Sequence, residues 1–199
     1  LINYALAKND WNKAYEDLKI LEKGGRNLIQ RNLIKPGALT TVDLSRYTTE
    51  GYLTIETGES AYVGIRWSIP SVKPNKYYTL SYSYRKISGK LVSFGGHTDD
   101  TYAENTVFVD GVERVGKRYI NNDSVFVGDD NEWHEVIVVF KTGDTVDPTH
   151  TVQIQPNRGH TDTVKVEIKD LVMVEGNKSM SWTPAPEDQV DKTNILSSI

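Results

Sequence analysis

The sequence predicts an all-β protein, a jelly-roll β-sandwich preceded by a short N-terminal α-helix. Three observations carry this reading. The hydrophobic period changes from helical to alternating at Gly24-Gly25. Downstream, short runs rich in Val, Ile, Tyr, Thr and Phe recur between turn residues. Almost no helical period returns after that point, which suits a sandwich rather than a mixed fold.

The helix is expected over residues 1–24. Tyr4, Ala7, Trp11, Ala14, Leu18 and Leu21 recur at spacings of three and four, the a and d positions of three heptads. The glycine pair ends it. Two readings stand: the end of a coiled coil that makes a homotrimer, or an amphipathic helix packed on the sandwich. The start at Leu1, inside a helical pattern, suggests a piece of a longer protein.

The sandwich is expected over residues 25–183. Strands are read at Tyr52–Glu56, Ala61–Ser68, Tyr77–Ile87, Thr106–Val109, Val112–Val115, Ser124–Val127, Trp133–Lys141, Thr149–Gln155 and Thr163–Val174. Asp110-Gly111 supplies the two positive φ angles of a type I′ hairpin turn. Alternation assigns Val63, Ile65 and Trp67 to one side of their strand, and does the same for Leu80, Tyr82 and Tyr84 and for Val136, Val138 and Phe140. Val152 with Ile154, and Val164, Val166 and Ile168, complete the candidate core. The strand from Trp133 is apolar on its other side too, through Ile137 and Val139, as a strand covered twice would be. Residues 184–199 carry Pro, Ser and Asp without periodicity and read as a C-terminal linker.

Composition narrows the function classes. The chain has 199 residues and a formal charge of −4 from 23 basic and 27 acidic side chains. No basic stripe favours nucleic acid or an anionic membrane. No apolar run approaches the roughly 20 residues of a membrane span, and no signal peptide is visible. The absence of cysteine excludes disulfides and thiolate metal sites and favours assembly in a reducing cytosol. There is no Cys nucleophile, Gly-x-Ser-x-Gly elbow, P-loop or dinucleotide fingerprint, so no enzyme is expected.

Three stretches together resemble a known family. They are Trp133-His134-Glu135-Val136-Ile137-Val138-Val139-Phe140, the run from Val166 to Gly176, and Ser181-Trp182-Thr183-Pro184-Ala185-Pro186-Glu187-Asp188. The first two resemble the last strands of jelly-roll carbohydrate-binding modules. The third resembles the closing signature of such modules in tail and baseplate proteins of lactococcal and streptococcal siphophages. The resemblance spans roughly residues 26–188. It implies a non-catalytic module of a virion protein, such as an accessory baseplate protein. It implies partners of two kinds, host cell-wall or surface polysaccharide and other virion proteins, with assembly in the host cytoplasm and action at the outer host surface. It also implies a structural Ca²⁺ between first and last strands, for which Glu56 and Asp170 are the oxygen donors on offer. The family's acidic pair is here Lys169-Asp170, so no metal or other cofactor is expected.

A sugar site needs aromatic faces for pyranose rings and polar groups for hydroxyls. Trp67 and Trp133 are the candidate platforms, since their strands lie mid-sheet. Trp182 is expected to close the sandwich, as the family implies. Arg66, Arg85, Gln153 and Gln155 face away from the expected core and could bond paired hydroxyls. Gly-His-Thr-Asp occurs twice, at Gly96–Asp99 and Gly159–Asp162. Two loops meeting at one end would present His97, Asp99, Asp100, Asn157, Arg158 and His160 to a ligand. A metal site and a coincidence of turn-rich sequence are the other readings. The expected site is therefore Trp67, Arg66, His97, Asp99, Trp133, Gln155, Asn157, Arg158 and His160. The rival functions are a structural adaptor of the virion without sugar binding, and a polysaccharide hydrolase domain.

Overall fold

The computed structural model describes residues 26–61, 63–68, 72–95, 104–113, 129–146 and 151–189. The expected N-terminal helix and the strand at Ser124–Val127 lie outside them. Two antiparallel sheets face each other across one core. The smaller sheet runs β1 (Lys35–Pro36), β4 (Ile65–Ser68), β10 (Thr151–Pro156), β6 (Phe94–Gly95). The larger runs β2 (Thr40–Asp43), β3 (Tyr52–Thr57), β11 (Val164–Glu175), β5 (Tyr77–Gly89), β9 (His134–Lys141), β7 (Glu104–Val109), β8 (Val112–Glu113). The chain is thus a β-sandwich.

The alternating residues fill the space between the sheets as expected. Ile65, Trp67, Tyr82, Tyr84, Val136, Val138, Phe140, Ile154, Val166 and Ile168 are all at most 1% exposed. Tyr84 packs on Phe94 with ring centroids 4.5 Å apart, tying the two sheets together. The Asp-Gly hairpin forms as its chemistry requires, with Asp110 at φ 49° and Gly111 at φ 77°. Strand β4 starts at Ile65, not at Ala61. Gly64 takes φ 140°, and a Cβ there would lie 2.2 Å from the Ile154 carbonyl oxygen. Only glycine permits that approach of β4 to β10.

Several short elements carry no sequence signal: a 3₁₀ turn at Arg31–Leu33, strands β1, β2 and β6, and helix α1 (Tyr47–Glu50). The expected linker also begins too early. Ala185 is fully buried, Glu187 pairs with Arg26, and the Asp188 carboxylate accepts from the Arg31 amide at 3.0 Å. Asn27, fully buried, binds the two ends together. Its amide donates to the Leu171 and Thr183 carbonyls at 3.3 and 3.0 Å, and its oxygen accepts from the Ile29 and Met173 amides. Residues 184–189 therefore belong to the domain.

Candidate functional site

The outer face of the larger sheet gathers an unusual set of side chains. On β3, Leu53 and Ile55 point into the core, so Tyr52 points outward. On β11, Lys165, Glu167 and Lys169 alternate outward against buried Val164, Val166 and Ile168. Trp133 stands one residue before β9, in phase with outward Glu135 and Ile137. Register brings these together: Lys169 lies opposite Tyr52, and Glu167 lies between Thr54 on β3 and Arg85 on β5.

Tyr52 and Trp133 meet edge to face, with ring centroids 6.1 Å apart. Arg85 and Lys169 place their cations 4.8 and 4.3 Å from the Trp133 ring centre. Glu167 fixes Arg85, accepting from its Nε at 3.0 Å and lying 2.8 Å from Nη2. Its second oxygen lies 3.5 Å from Arg46, which rests over the Tyr52 ring and bonds Glu50. Lys169 has no carboxylate partner among the described residues. A ligand ring that stacks on Trp133 competes with these cations for the ring. Lys169, on a flexible stem, yields more easily than the clamped Arg85.

Beside this cluster lies an open groove of about 470 Å³. Ser81, Glu135 and Asp170 contribute from the sheet, and Ser179 to Trp182 contribute from the segment after β11. A break in register between Lys169 and Val172 leaves Asp170 unpaired with β5, at φ 56°. Trp182 packs on Gly51, where a Cβ would come within 2.8 Å of the indole, and meets Tyr47 edge to face. It thus covers Gly51, just before β3, and the buried Tyr47.

The expected site is divided by this geometry. Trp133 stands partly exposed on the outer face of the larger sheet, with Arg85 and Lys169 over its ring. Trp67 does not: it is 1% exposed, with its ring between the sheets, and presents no face to a ligand. Arg66 and Gln155 do come together, with Gln153 opposite Arg66, around a hollow of about 250 Å³. That hollow is on the smaller sheet, on the opposite side of the sandwich from Trp133. Asn157 is fully buried and spends its side chain on backbone: its oxygen accepts from Val92, and its amide donates to the Lys90 and Asp162 carbonyls. It is a structural clamp, not a ligand contact. Arg158 lays its stem against Gly95, and the His160 amide closes a turn onto the Asn157 carbonyl. The stems of the two repeated motifs do meet, since β6 pairs with β10. His97, Asp99 and Asp100 lie outside the described residues. Glu56 and Asp170 cannot share a calcium ion. The Asp170 amide donates to the Gly51 carbonyl, and Glu56 lies five steps further along the extended chain, about 16 Å away. Among the described residues no group of His, Asp or Glu is arranged to hold a metal.

Tyr52, Lys169 and Glu135 are not among the expected residues, and Asp170 is expected only as a metal donor. The outward phase of Tyr52, Glu135 and Lys169 is readable, but the adjacency of their strands is not, and Asp170 is exposed by the register break rather than by alternation.

His134, next to Trp133, carries a pH dependence. Its Nδ1 and Nε2 lie 2.8 and 2.9 Å from carboxylate oxygens of Asp110 and Asp130. Carboxylates only accept, so the two of them favour a ring that donates from both nitrogens. Burial opposes the charge of such a ring, but the two carboxylates outweigh it and hold His134 above its ordinary value. The bond from His134 likewise holds Asp130 below the usual carboxylate range. The stabilisation from His134 is therefore complete below its unfolded value and is lost as pH rises through its raised one. Thermal denaturation of the protein should show Tm falling over that interval. His134→Gln should flatten the slope; an unchanged slope would place the titration elsewhere.

The fold and this face together define a β-sandwich with an aromatic, polar groove on one sheet. No family model and no curated protein sequence matches the chain. Among solved structures it is similar to the CBM22-1 xylan-binding domain from Paenibacillus barcinonensis Xyn10C, with TM-score 0.47 and 10% identity over 79% of this chain and 99% of that one. It is also similar to the CBM22-1–GH10 modules of Clostridium thermocellum xylanase 10B complexed with xylohexaose, with TM-score 0.47 and 16% identity over 81% of this chain and 30% of that one. A third likeness is to the tripod from the baseplate of bacteriophage Tuc2009, with TM-score 0.37 and 12% identity over 69% and 50%. At these scores the likeness is one of general shape and assigns no ligand.

Proposed function

We propose that this protein is a non-catalytic carbohydrate-binding module that holds saccharide on the outer face of its larger sheet. One observation carries the reading. A Trp133–Tyr52 pair stands on an accessible sheet face, ringed by fixed hydrogen-bonding groups and beside an open polar groove. Such a face offers a stacking surface and oriented donors and acceptors, the two requirements of pyranose binding. The biological setting we propose is a phage tail or baseplate protein adhering to host surface polysaccharide. The closing Trp182-Thr183-Pro184 signature supports that setting. In it, residues 1–24 would join copies as a homotrimer, and several weak sites would act together through effective concentration.

The test is labelling of susceptible host cells by the tagged protein, before and after selective removal of surface polysaccharide. Labelling should depend on the polysaccharide. Trp133→Ala should weaken it by about 1–3 kcal/mol per site, taking base stacking as the analogue, with thermal stability little changed. Arg66→Ala, on the opposite face, should label as wild type. Labelling that survives Trp133→Ala but not Arg66→Ala would move the site to the smaller sheet. Absence of labelling, with recovery of virion proteins in a pull-down, would favour the structural adaptor.

A further inference from the structure

The outer face of the smaller sheet carries a charge pattern that stacking on the opposite face does not explain. Ile65 and Trp67 on β4, and Val152 and Ile154 on β10, point into the core. Arg66 and Gln153 therefore point outward. Register sets Lys35 of β1 and Gln153 of β10 directly opposite Arg66, one on each side. The three stand in one row across neighbouring strands, with Cα atoms about 5 Å apart. Lys35 and Arg66 are both exposed. Gln155 follows on the same side of β10 and pairs with Gly95. The Arg158 stem lies where a Gly95 side chain would be, so a third basic residue crosses this face.

Like charges directly opposite each other on a sheet destabilise it. Lys35 and Arg66 form such a pair, and among the described residues neither has a carboxylate partner. None of the four strands contains an acidic residue, in a chain where acids outnumber bases 27 to 23. The hollow of about 250 Å³ opens in the same place, between Arg66, Gln153 and Gln155 on the sheet and Gly37 and Ala38 of the β1–β2 turn. Guanidinium and amide groups make it rich in donors. No aromatic ring lines it, so a pyranose has nothing to stack on. It is smaller than the about 300–1,000 Å³ typical of small-ligand pockets and suits a single side-chain carboxylate.

We infer that this face docks an acidic segment of a partner protein, with one Asp or Glu carboxylate seated in the hollow against Arg66 and with Lys35 beside it. A planar guanidinium holds a carboxylate through two parallel bonds. The shared anion also relieves the repulsion between Arg66 and Lys35. This face and the Trp133 face lie on opposite sides of the sandwich, so a docked segment and a bound saccharide do not compete.

Fluorescence anisotropy of labelled hexaglutamate, with hexaglutamine and an oligogalacturonate for comparison, tests this on the whole protein at low ionic strength. A net charge of −4 repels a polyanion on average, so attraction has to be local. Hexaglutamate should bind about tenfold tighter than hexaglutamine, and added salt should erase the difference. Lys35→Gln and Arg66→Gln should each remove most of it. Lys76→Gln, just before β5, and Trp133→Ala, on the other sheet, should not. Arg66→Glu should abolish the preference yet leave the urea midpoint at or above wild type, because a carboxylate there pairs with Lys35. Equal binding of the two peptides, or equal loss in Lys76→Gln, would overturn the inference and leave the carbohydrate reading intact. Tighter binding of oligogalacturonate than of hexaglutamate, lost in Arg66→Gln, would assign the face to an acidic saccharide and overturn the protein partner.

Discussion

Trp67→Ala should lower the stability of the domain by about 3–5 kcal/mol, among the largest losses any single substitution here can produce. Trp67 is 1% exposed and sits in the core with Ile65, on a strand that pairs with both β1 and β10. Alanine would remove most of an indole from a space that packed strands cannot refill, so the lost transfer energy and the cavity add. Marginal stability is about 5–15 kcal/mol for an ordinary domain, so the loss would consume a large part of it. Trp67→Phe should cost much less. It keeps most of the volume and removes the indole N–H, which is buried without a hydrogen-bond partner. Urea denaturation separates the two variants. If Trp67→Ala unfolds at the wild-type midpoint yet binds ligand poorly, Trp67 is an exposed platform and not a core residue.

Asn157→Asp should cost a similar amount, about 3–5 kcal/mol, through a different term. The Asn157 amide nitrogen donates to the Lys90 and Asp162 carbonyls, both at 2.7 Å. A carboxylate there turns two attractions into two repulsions between oxygens, in a site with no exposure. The buried acid would be driven toward its neutral form, which can donate one bond. Its folded pKa would therefore lie above the unfolded one, and the penalty should shrink as pH falls through that raised value. Asparagine also suits the backbone at φ 57°, which few other residues adopt at low cost. Denaturant midpoints of wild type and variant across acidic to neutral pH measure the gap. A gap that widens on acidification would contradict the bonding described.

These two residues show where sequence reading succeeded and failed. The phase of each strand was legible, because one buried face imposes a period of two. Trp67 was assigned correctly to the core side of its strand, in phase with Val63 and Ile65. That same phase turns its ring away from any ligand on the sheet's outer face. Asn157 and Arg158 were chosen for their chemistry in a turn-rich loop, and no local signal distinguishes a hydrogen-bonded clamp from a ligand contact. Trp133 is legible as a candidate because its strand, apolar on both sides, reads as mid-sheet. Its companions Tyr52, Lys169 and Arg85 come from β3, β11 and β5, and the order of strands in a sheet is set by long-range packing. The short elements β1, β2 and α1 were invisible for a related reason. Two to four residues carry too little periodicity, and these gain their order from the sheets they border.

The stitch made by Asn27 also governs how the module carries load. Residues 26 and 188 leave the domain at the same pole, beside Leu171 and Thr183. A tether pulling on both ends would open the contacts of Arg26, Asn27 and Arg31 one after another, as a zipper opens. The paired strands of the two sheets are not loaded in shear until those contacts are gone. Tension on the chain would thus be relieved at the seam first, with both sheets still paired.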